Sequence, residues 1–115
     1  MKNTVNVLGT NYSITVKAEK DDKFFKSLDC DGYVDKTSKE IVLMQLTDDN
    51  CQLKRKEVYS AKTLRHEIIH AFLFESGLGE SSGAIESWAT NEEMVDWIAY
   101  QAPKLFKAFK ETGCL

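Results

Sequence analysis

The first half of the chain alternates between apolar and polar residues, which predicts short β-strands. Residues 4–8 and 12–16 both alternate, and the turn between them is rich in the small residues typical of a hairpin. A short strand over 33–35 and a strongly apolar strand over 40–46 follow, and a short helix is expected over 23–28. The pattern therefore predicts a four-stranded antiparallel sheet.

The second half of the chain changes to helical periodicity. Leu64 and Ile68 are four residues apart on the apolar side of the first long helix. Ser60 has the side chain of a typical N-cap, so we expect the helix to begin there. Gly77 and Gly79 are expected to end it.

A second long helix is predicted over 91–110, with an extra turn before it through Ile85 and Trp88. Pro103 is expected to kink or split this helix because proline lacks the N–H group that a helix interior needs. We expect Trp88 to pack in the core, although its place before the helix would also let it wall a cleft. The stretch 47–56 is polar and indicates an exposed loop. Four phenylalanines at helical spacings are also predicted to be core residues: Phe72, Phe74, Phe106 and Phe109.

The composition is that of one globular domain spanning residues 1–115. Apolar residues make up 43% of the chain and charged residues 29%, with a net charge of −3. An acidic balance argues against a nucleic-acid partner, and no apolar run approaches the roughly 18 residues of a membrane helix. The first residues lack an apolar signal core, so we expect a cytoplasmic protein. The odd number of cysteines and the absence of a Cys-x-x-Cys pair predict free thiols at Cys30, Cys51 and Cys114.

Both histidines of the chain belong to one motif, His66-Glu67-Ile68-Ile69-His70, which has the pattern HExxH. Residues four apart lie on the same helix face, so His66 and His70 can bind one metal ion. Glu67 lies about 100° further around the helix and reaches the space beside that ion. Two neutral nitrogen ligands and a neighbouring carboxylate that accepts a proton from water are what a hydrolytic zinc site needs.

A catalytic zinc ion needs a third protein ligand, which must be a carboxylate or a cysteine because no histidine remains. Glu92 follows His70 by 22 residues, and Asp96 lies four residues after Glu92 on the same helix face. This spacing permits Glu92 to bind the metal and Asp96 to hold a ligand histidine by its second ring nitrogen. Glu93 is the alternative metal ligand, but its spacing offers no such supporting acid.

The HExxH motif followed by Asn91-Glu92-x-x-x-Asp96 resembles the gluzincin pattern of thermolysin-type metallopeptidases. The closer resemblance is to small bacterial and phage metallopeptidase-like proteins, including the ImmA/IrrE group, and it is strongest over 64–97. It implies an α+β, minimal zincin-like fold, with a small antiparallel sheet packed on the HExxH helix and a second ligand-bearing helix. It also implies a phage or mobile-element source, and one zinc ion held by three ligands: His66, His70 and Glu92.

The resulting hypothesis is a zinc metallopeptidase that hydrolyses peptide bonds of a protein substrate, with Glu67 as the general base. Larger gluzincins use an additional histidine or tyrosine to stabilise the oxyanion, for which Tyr59 is the first candidate here. The other oxyanion candidates are Tyr33, Tyr100 and Arg65. By fold analogy, the strand over 40–46 would pair with an extended substrate. The alternative is a non-catalytic regulatory or binding module in which zinc has a fourth protein ligand, such as Cys30 or Cys51.

Overall fold

The computed structural model describes residues 2–81 and 88–115, so the predicted turn at Ile85 lies outside the described residues. The chain forms an α+β fold with one four-stranded sheet. Its strands are β1 (Thr4–Val7), β2 (Thr10–Lys17), β3 (Gly32–Asp35) and β4 (Glu40–Met44). Its helices are α1 (Phe24–Ser27), α2 (Lys56–Glu75), α3 (Leu78–Ser81) and α4 (Glu92–Glu111).

The sheet is mixed, and the prediction of an antiparallel sheet is wrong for one pair of strands. The strand order is β1-β2-β4-β3, in which β2 and β4 run parallel and the two outer pairs are antiparallel. The reason is that β4 is apolar on both faces, with Ile41, Val42 and Leu43 all buried. Such a strand is stable at the centre of a covered sheet rather than at its edge, and this position places it beside β2.

Helices cover both faces of the sheet. On one face, Ile41 and Leu43 belong to a core cluster that includes Ala71 of α2, with Leu64 and Ile68 packed against it. On the other face, Val42 and Met44 form a second cluster with a residue of the short helix α1. Because successive side chains of β4 point to opposite faces, one strand supplies both clusters. The helix that carries the HExxH motif is thereby fixed against the sheet.

Helix α2 begins at Lys56, one turn before the predicted N-cap at Ser60. The additional turn is held by a tertiary contact, since the Tyr59 hydroxyl donates a hydrogen bond to Asp31 in the turn before β3. Within the helix, the Thr63 hydroxyl donates to the Tyr59 carbonyl at 3.1 Å. Helical periodicity alone could not reveal this contact, because Asp31 is 28 residues away in the sequence.

Helix α4 has the predicted bounds to within a residue or two. The Asn91 side chain caps it by accepting a hydrogen bond from the Met94 N–H group at 2.8 Å. Pro103 lies inside the helix and does not split it. The buried face of α4 ends at Ala102, so the last turns extend beyond the core. For this reason the prediction of core packing is wrong for Phe106 and Phe109, which are exposed. It is also wrong for Phe72, an exposed residue of α2.

Two further sequence predictions concern cysteines and membranes. Cys30, Cys51 and Cys114 are all free thiols, as predicted. Among the helices in the described ranges, none combines the length and the apolar character that crossing a membrane requires.

Gly32 permits the close approach of β3 to α2. A Cβ atom at this position would lie 2.9 Å from Thr63 Cγ2 and 3.1 Å from Leu43 Cδ2. We expect Gly32→Ala to lower the free energy of unfolding by about 1–3 kcal/mol, measured by urea denaturation. Thr63→Ser removes Cγ2 but keeps the hydroxyl, so adding it to Gly32→Ala should restore part of the loss. An unchanged denaturation midpoint in Gly32→Ala would contradict the tight packing.

Candidate metal centre

The two histidines of the HExxH motif project from α2 on the side that faces α4. His66 and His70 are only 9% and 5% exposed, and their Nε2 atoms lie 3.1 Å apart. The one-turn spacing of the motif produces this convergence, because residues four apart are stacked along one helix face. Two imidazole nitrogens so close together need a proton or a cation between them.

Glu92, at the first position of α4, supplies the third ligand atom. Its two carboxylate oxygens lie 2.9 Å from His66 Nε2 and 2.9 Å from His70 Nε2. Around a tetrahedral zinc ion with metal–ligand bonds near 2.0–2.1 Å, ligand atoms are about 3.3 Å apart. The observed separations are a few tenths of an ångström shorter, so a small outward movement would admit the ion. These three side chains form a group that could hold a metal ion.

The second ring nitrogen of His70 is held by the backbone. His70 Nδ1–H donates to the Ala89 carbonyl at 2.5 Å, which leaves the Nε2 lone pair free for a metal. The ring also stacks on Phe74, with centroids 5.9 Å apart and planes inclined by 15°. His70 is therefore fixed both in tautomer and in orientation.

The second ring nitrogen of His66 is held by a carboxylate. His66 Nδ1 lies 3.0 Å from Asp96 Oδ1, and the same oxygen accepts a hydrogen bond from Lys62 Nζ at 2.9 Å. The hydrogen bond from the Lys62 ammonium and, to a smaller extent, the hydrogen bond from His66 hold the pKa of Asp96 below its ordinary value. Asp96 is thus kept ionised and able to accept the His66 Nδ1 proton. A supporting carboxylate of this kind orients a ligand histidine and makes it more basic.

Glu67 is a buried carboxyl group beside the three ligands. Desolvation, followed by repulsion from Glu92 and Asp31, raises the pKa of Glu67 to about 8, while Lys62 opposes the shift. The residue is only 7% exposed. A divalent cation at the adjacent ligands would offset the repulsion from Glu92 and favour the ionised form. The donor set and its surroundings therefore fit a cation electrostatically as well as geometrically.

A cavity of about 400 Å³ opens beside the ligands. It gives water and a larger molecule access to His66, Glu67 and Glu92. Glu93, the alternative metal ligand, lines the cavity but does not belong to the group of converging ligand atoms. The other lining residues, most of which are polar or charged, are Asp29, Cys30, Asp31, Gly32, Lys62, Thr63 and Asp96.

Tyr59, the first oxyanion candidate, does not line this cavity. Its hydroxyl donates to Asp31, and this hydrogen bond, with desolvation, raises the pKa of Tyr59 to about 12. The remaining candidates lie outside the lining as well: Tyr33, Tyr100 and Arg65. Among the described residues that line the cavity, Lys62 is the single cationic side chain.

Two contributors to the site were not among the predicted residues. Lys62 lies one turn before His66 on the same helix face, so its spacing was a usable signal. The Ala89 carbonyl is a backbone group and leaves no signature in a sequence. The position of Ala89 also explains why the prediction that Trp88 packs in the core is wrong. Ala89 turns inward to meet His70, whereas Trp88 turns outward and is 64% exposed.

Asp96→Asn should lower the affinity of this site for a divalent metal ion about 10- to 100-fold, because an amide in place of the carboxylate holds the His66 ring less firmly. Isothermal titration of metal-depleted protein with zinc measures this change. Glu111→Gln, an exposed carboxylate near the other end of α4, is the matched control and should leave the affinity unchanged. Equal affinities for Asp96→Asn and the wild-type chain would exclude the supporting role of Asp96.

Comparison of the chain with protein-family models, with curated proteins and with solved structures gives no match. The function is therefore inferred from the residues of the site.

Proposed function

We propose that the protein is a zinc-dependent metallopeptidase that hydrolyses peptide bonds of a protein substrate. The observation that carries the proposal is the convergence of two imidazole nitrogens and one carboxylate within about 3 Å of one another, beside a buried glutamate and an open cavity. Two histidines and one carboxylate are a ligand set found in catalytic zinc sites, which keep a further position for water or substrate.

Glu67 is the general base of the proposed reaction. A zinc ion at the site would polarise the scissile carbonyl and acidify a water molecule. Glu67 accepts a proton from the attacking water on a carboxylate oxygen and then donates it to the leaving amine nitrogen. Because burial raises the proton affinity of Glu67, the same group can act first as a base and then as an acid.

The strand that would pair with a substrate is β3, which lies at the edge of the sheet. The prediction that the strand over 40–46 pairs with the substrate is wrong, because β4 has a neighbouring strand on both sides. The Met44 N–H group donates to the Asp31 carbonyl at 2.9 Å. In an antiparallel pair of strands, hydrogen-bonded residue pairs alternate with pairs that are not hydrogen-bonded. Because Asp31 is hydrogen-bonded to β4, Gly32 and Val34 direct their backbone N–H and C=O groups away from β4. Gly32 also lines the cavity beside the ligands. An extended peptide added at this edge would pass the metal site.

Metal depletion and restoration test the proposed activity. The chain is incubated with a mixture of synthetic peptides of diverse sequence, and cleavage products are identified by mass spectrometry. We expect cleavage by the zinc-loaded protein, none after chelation, and recovery on addition of one equivalent of zinc. Cleavage that persists after complete chelation would refute a metal-dependent mechanism, and absence of any cleavage by the zinc-loaded chain would refute peptidase activity on peptides.

A further inference from the structure

A second concave surface lies on the other side of Lys62 from the metal centre. This groove, of about 540 Å³, is formed by the loop before α2, the first turns of α2 and the middle of α4. Its floor and walls are largely apolar, and its apolar and aromatic lining residues are Leu53, Val58, Tyr59, Tyr100 and Pro103. We refer to it as the α2–α4 groove.

The apolar residues of the groove are left uncovered by the fold. Leu53, Val58 and Tyr100 are 48%, 52% and 64% exposed. Val58 and Tyr100 come from two different helices, so the exposed surface is continuous across α2 and α4 rather than a single outlying side chain. A contiguous apolar surface with charged surroundings is typical of an interaction site.

The charge of the groove is opposite to that of the whole chain. The chain has a net charge of −3, yet no acidic residue lines the groove within the described part of the chain. Five of its ten lining residues are cationic: Lys54, Arg55, Lys62, Arg65 and Lys104. Three of these have partners, since Arg55 pairs with Glu57, Lys62 pairs with Asp96, and Arg65 donates to a backbone carbonyl.

Lys54 and Lys104 form no ion pair with any described residue. They lie on the two elements that face each other across the groove, the loop before α2 and α4. Cations in this arrangement attract acidic groups from solution and set the orientation of a ligand, while the apolar floor supplies most of the affinity.

We propose that the α2–α4 groove binds an acidic peptide segment of another protein, one that carries large apolar side chains among aspartate and glutamate residues. The apolar side chains cover Leu53, Val58 and Tyr100, and the carboxylates pair with Lys54 and Lys104. A single-stranded nucleic acid fits less well, because its bases stack on aromatic platforms, whereas much of this floor is aliphatic. The proposal does not depend on the bound metal or on peptidase activity.

The test uses a displayed library of random peptides of about twelve residues, selected against the full chain. We expect the enriched peptides to have a net negative charge and at least two large apolar residues. Binding of synthetic copies is then measured by fluorescence anisotropy, with and without chelator, and should be the same in both conditions. A fluorescent oligothymidine of similar length serves as the nucleic-acid probe.

Two matched pairs of variants locate the site. Val58→Ser is compared with Val16→Ser, because both valines are 52% exposed and Val16 lies in β2, outside the groove. Lys104→Glu is compared with Lys110→Glu, because both are exposed lysines of α4 and only Lys104 lines the groove. Val58→Ser and Lys104→Glu should each weaken peptide binding about tenfold, and the two controls should change it less than about twofold.

Three results would overturn the proposal. The first is a selection that enriches no acidic peptides. The second is peptide binding by Val58→Ser or by Lys104→Glu that is as tight as binding by its matched control. The third is binding of oligothymidine that is tighter than that of the peptide and displaces it. Thermal unfolding of all four variants shows whether a loss of binding arises from a loss of folding. Because the metal centre is not used in this experiment, its outcome is separate from that of the peptidase proposal.

Discussion

Glu67→Gln is expected to hydrolyse peptides at least about 100-fold more slowly than the wild-type chain while it binds zinc equally well. Glutamine has nearly the same shape as glutamate but its amide cannot accept the proton of the attacking water. Glu67 does not belong to the group of converging ligand atoms, so the metal site itself should remain intact. The measurement is kcat/KM on a cleaved peptide, with the zinc content of the same sample determined by atomic absorption.

The folding of this variant provides the control. An amide at position 67 carries no charge that must be desolvated, so metal-free Glu67→Gln should have a thermal midpoint at least as high as the wild-type chain. A low rate with full zinc content and a normal midpoint assigns the loss to proton transfer. Hydrolysis at the wild-type rate would show that a different group acts as the base.

Glu92→Gln is expected to lower zinc affinity by at least about 100-fold, because it removes the one anionic ligand of the group. Its neighbour Glu93 offers a closely matched control, since the two residues are adjacent, chemically identical and both line the cavity. Glu93→Gln should change the affinity less than about threefold. Titration of the metal-depleted variants with zinc against a competing chelator gives both values.

This pair of variants also decides which glutamate binds the metal. The geometry favours Glu92, whose two oxygens reach both histidines at 2.9 Å. If Glu93→Gln lost the metal and Glu92→Gln retained it, α4 would have to turn about its axis to present the other side chain. The proposed ligand set would then be wrong.

Local sequence patterns were sufficient to predict the two helices that carry the metal site. The HExxH spacing places His66 and His70 on one helix face whatever surrounds them, because helix geometry alone determines it. Asn91 is an N-cap residue by chemistry, and the structure places it at the start of α4, where it presents Glu92 at the first helical position. These are short-range effects, which a single sequence records well.

The features that sequence patterns missed depend on contacts between distant residues. The position of β4 between β2 and β3 results from covering both of its faces, and alternation within one strand does not specify its neighbours. The earlier start of α2 depends on the contact of Tyr59 with Asp31. The exposure of Phe106 and Phe109 arises because the buried face of α4 ends at Ala102, which helical spacing does not indicate.

X-ray absorption at the zinc edge, recorded on protein loaded with one equivalent of zinc, tests the proposed metal centre most directly. We expect two histidine nitrogens and one carboxylate oxygen, a further oxygen from solvent, and no sulfur in the coordination shell. Of the two cysteines named as alternative ligands, Cys30 lines the cavity and Cys51 does not. Sulfur scattering would support the non-catalytic module in which a cysteine closes the site, and failure of the chain to bind zinc would contradict the metal centre itself.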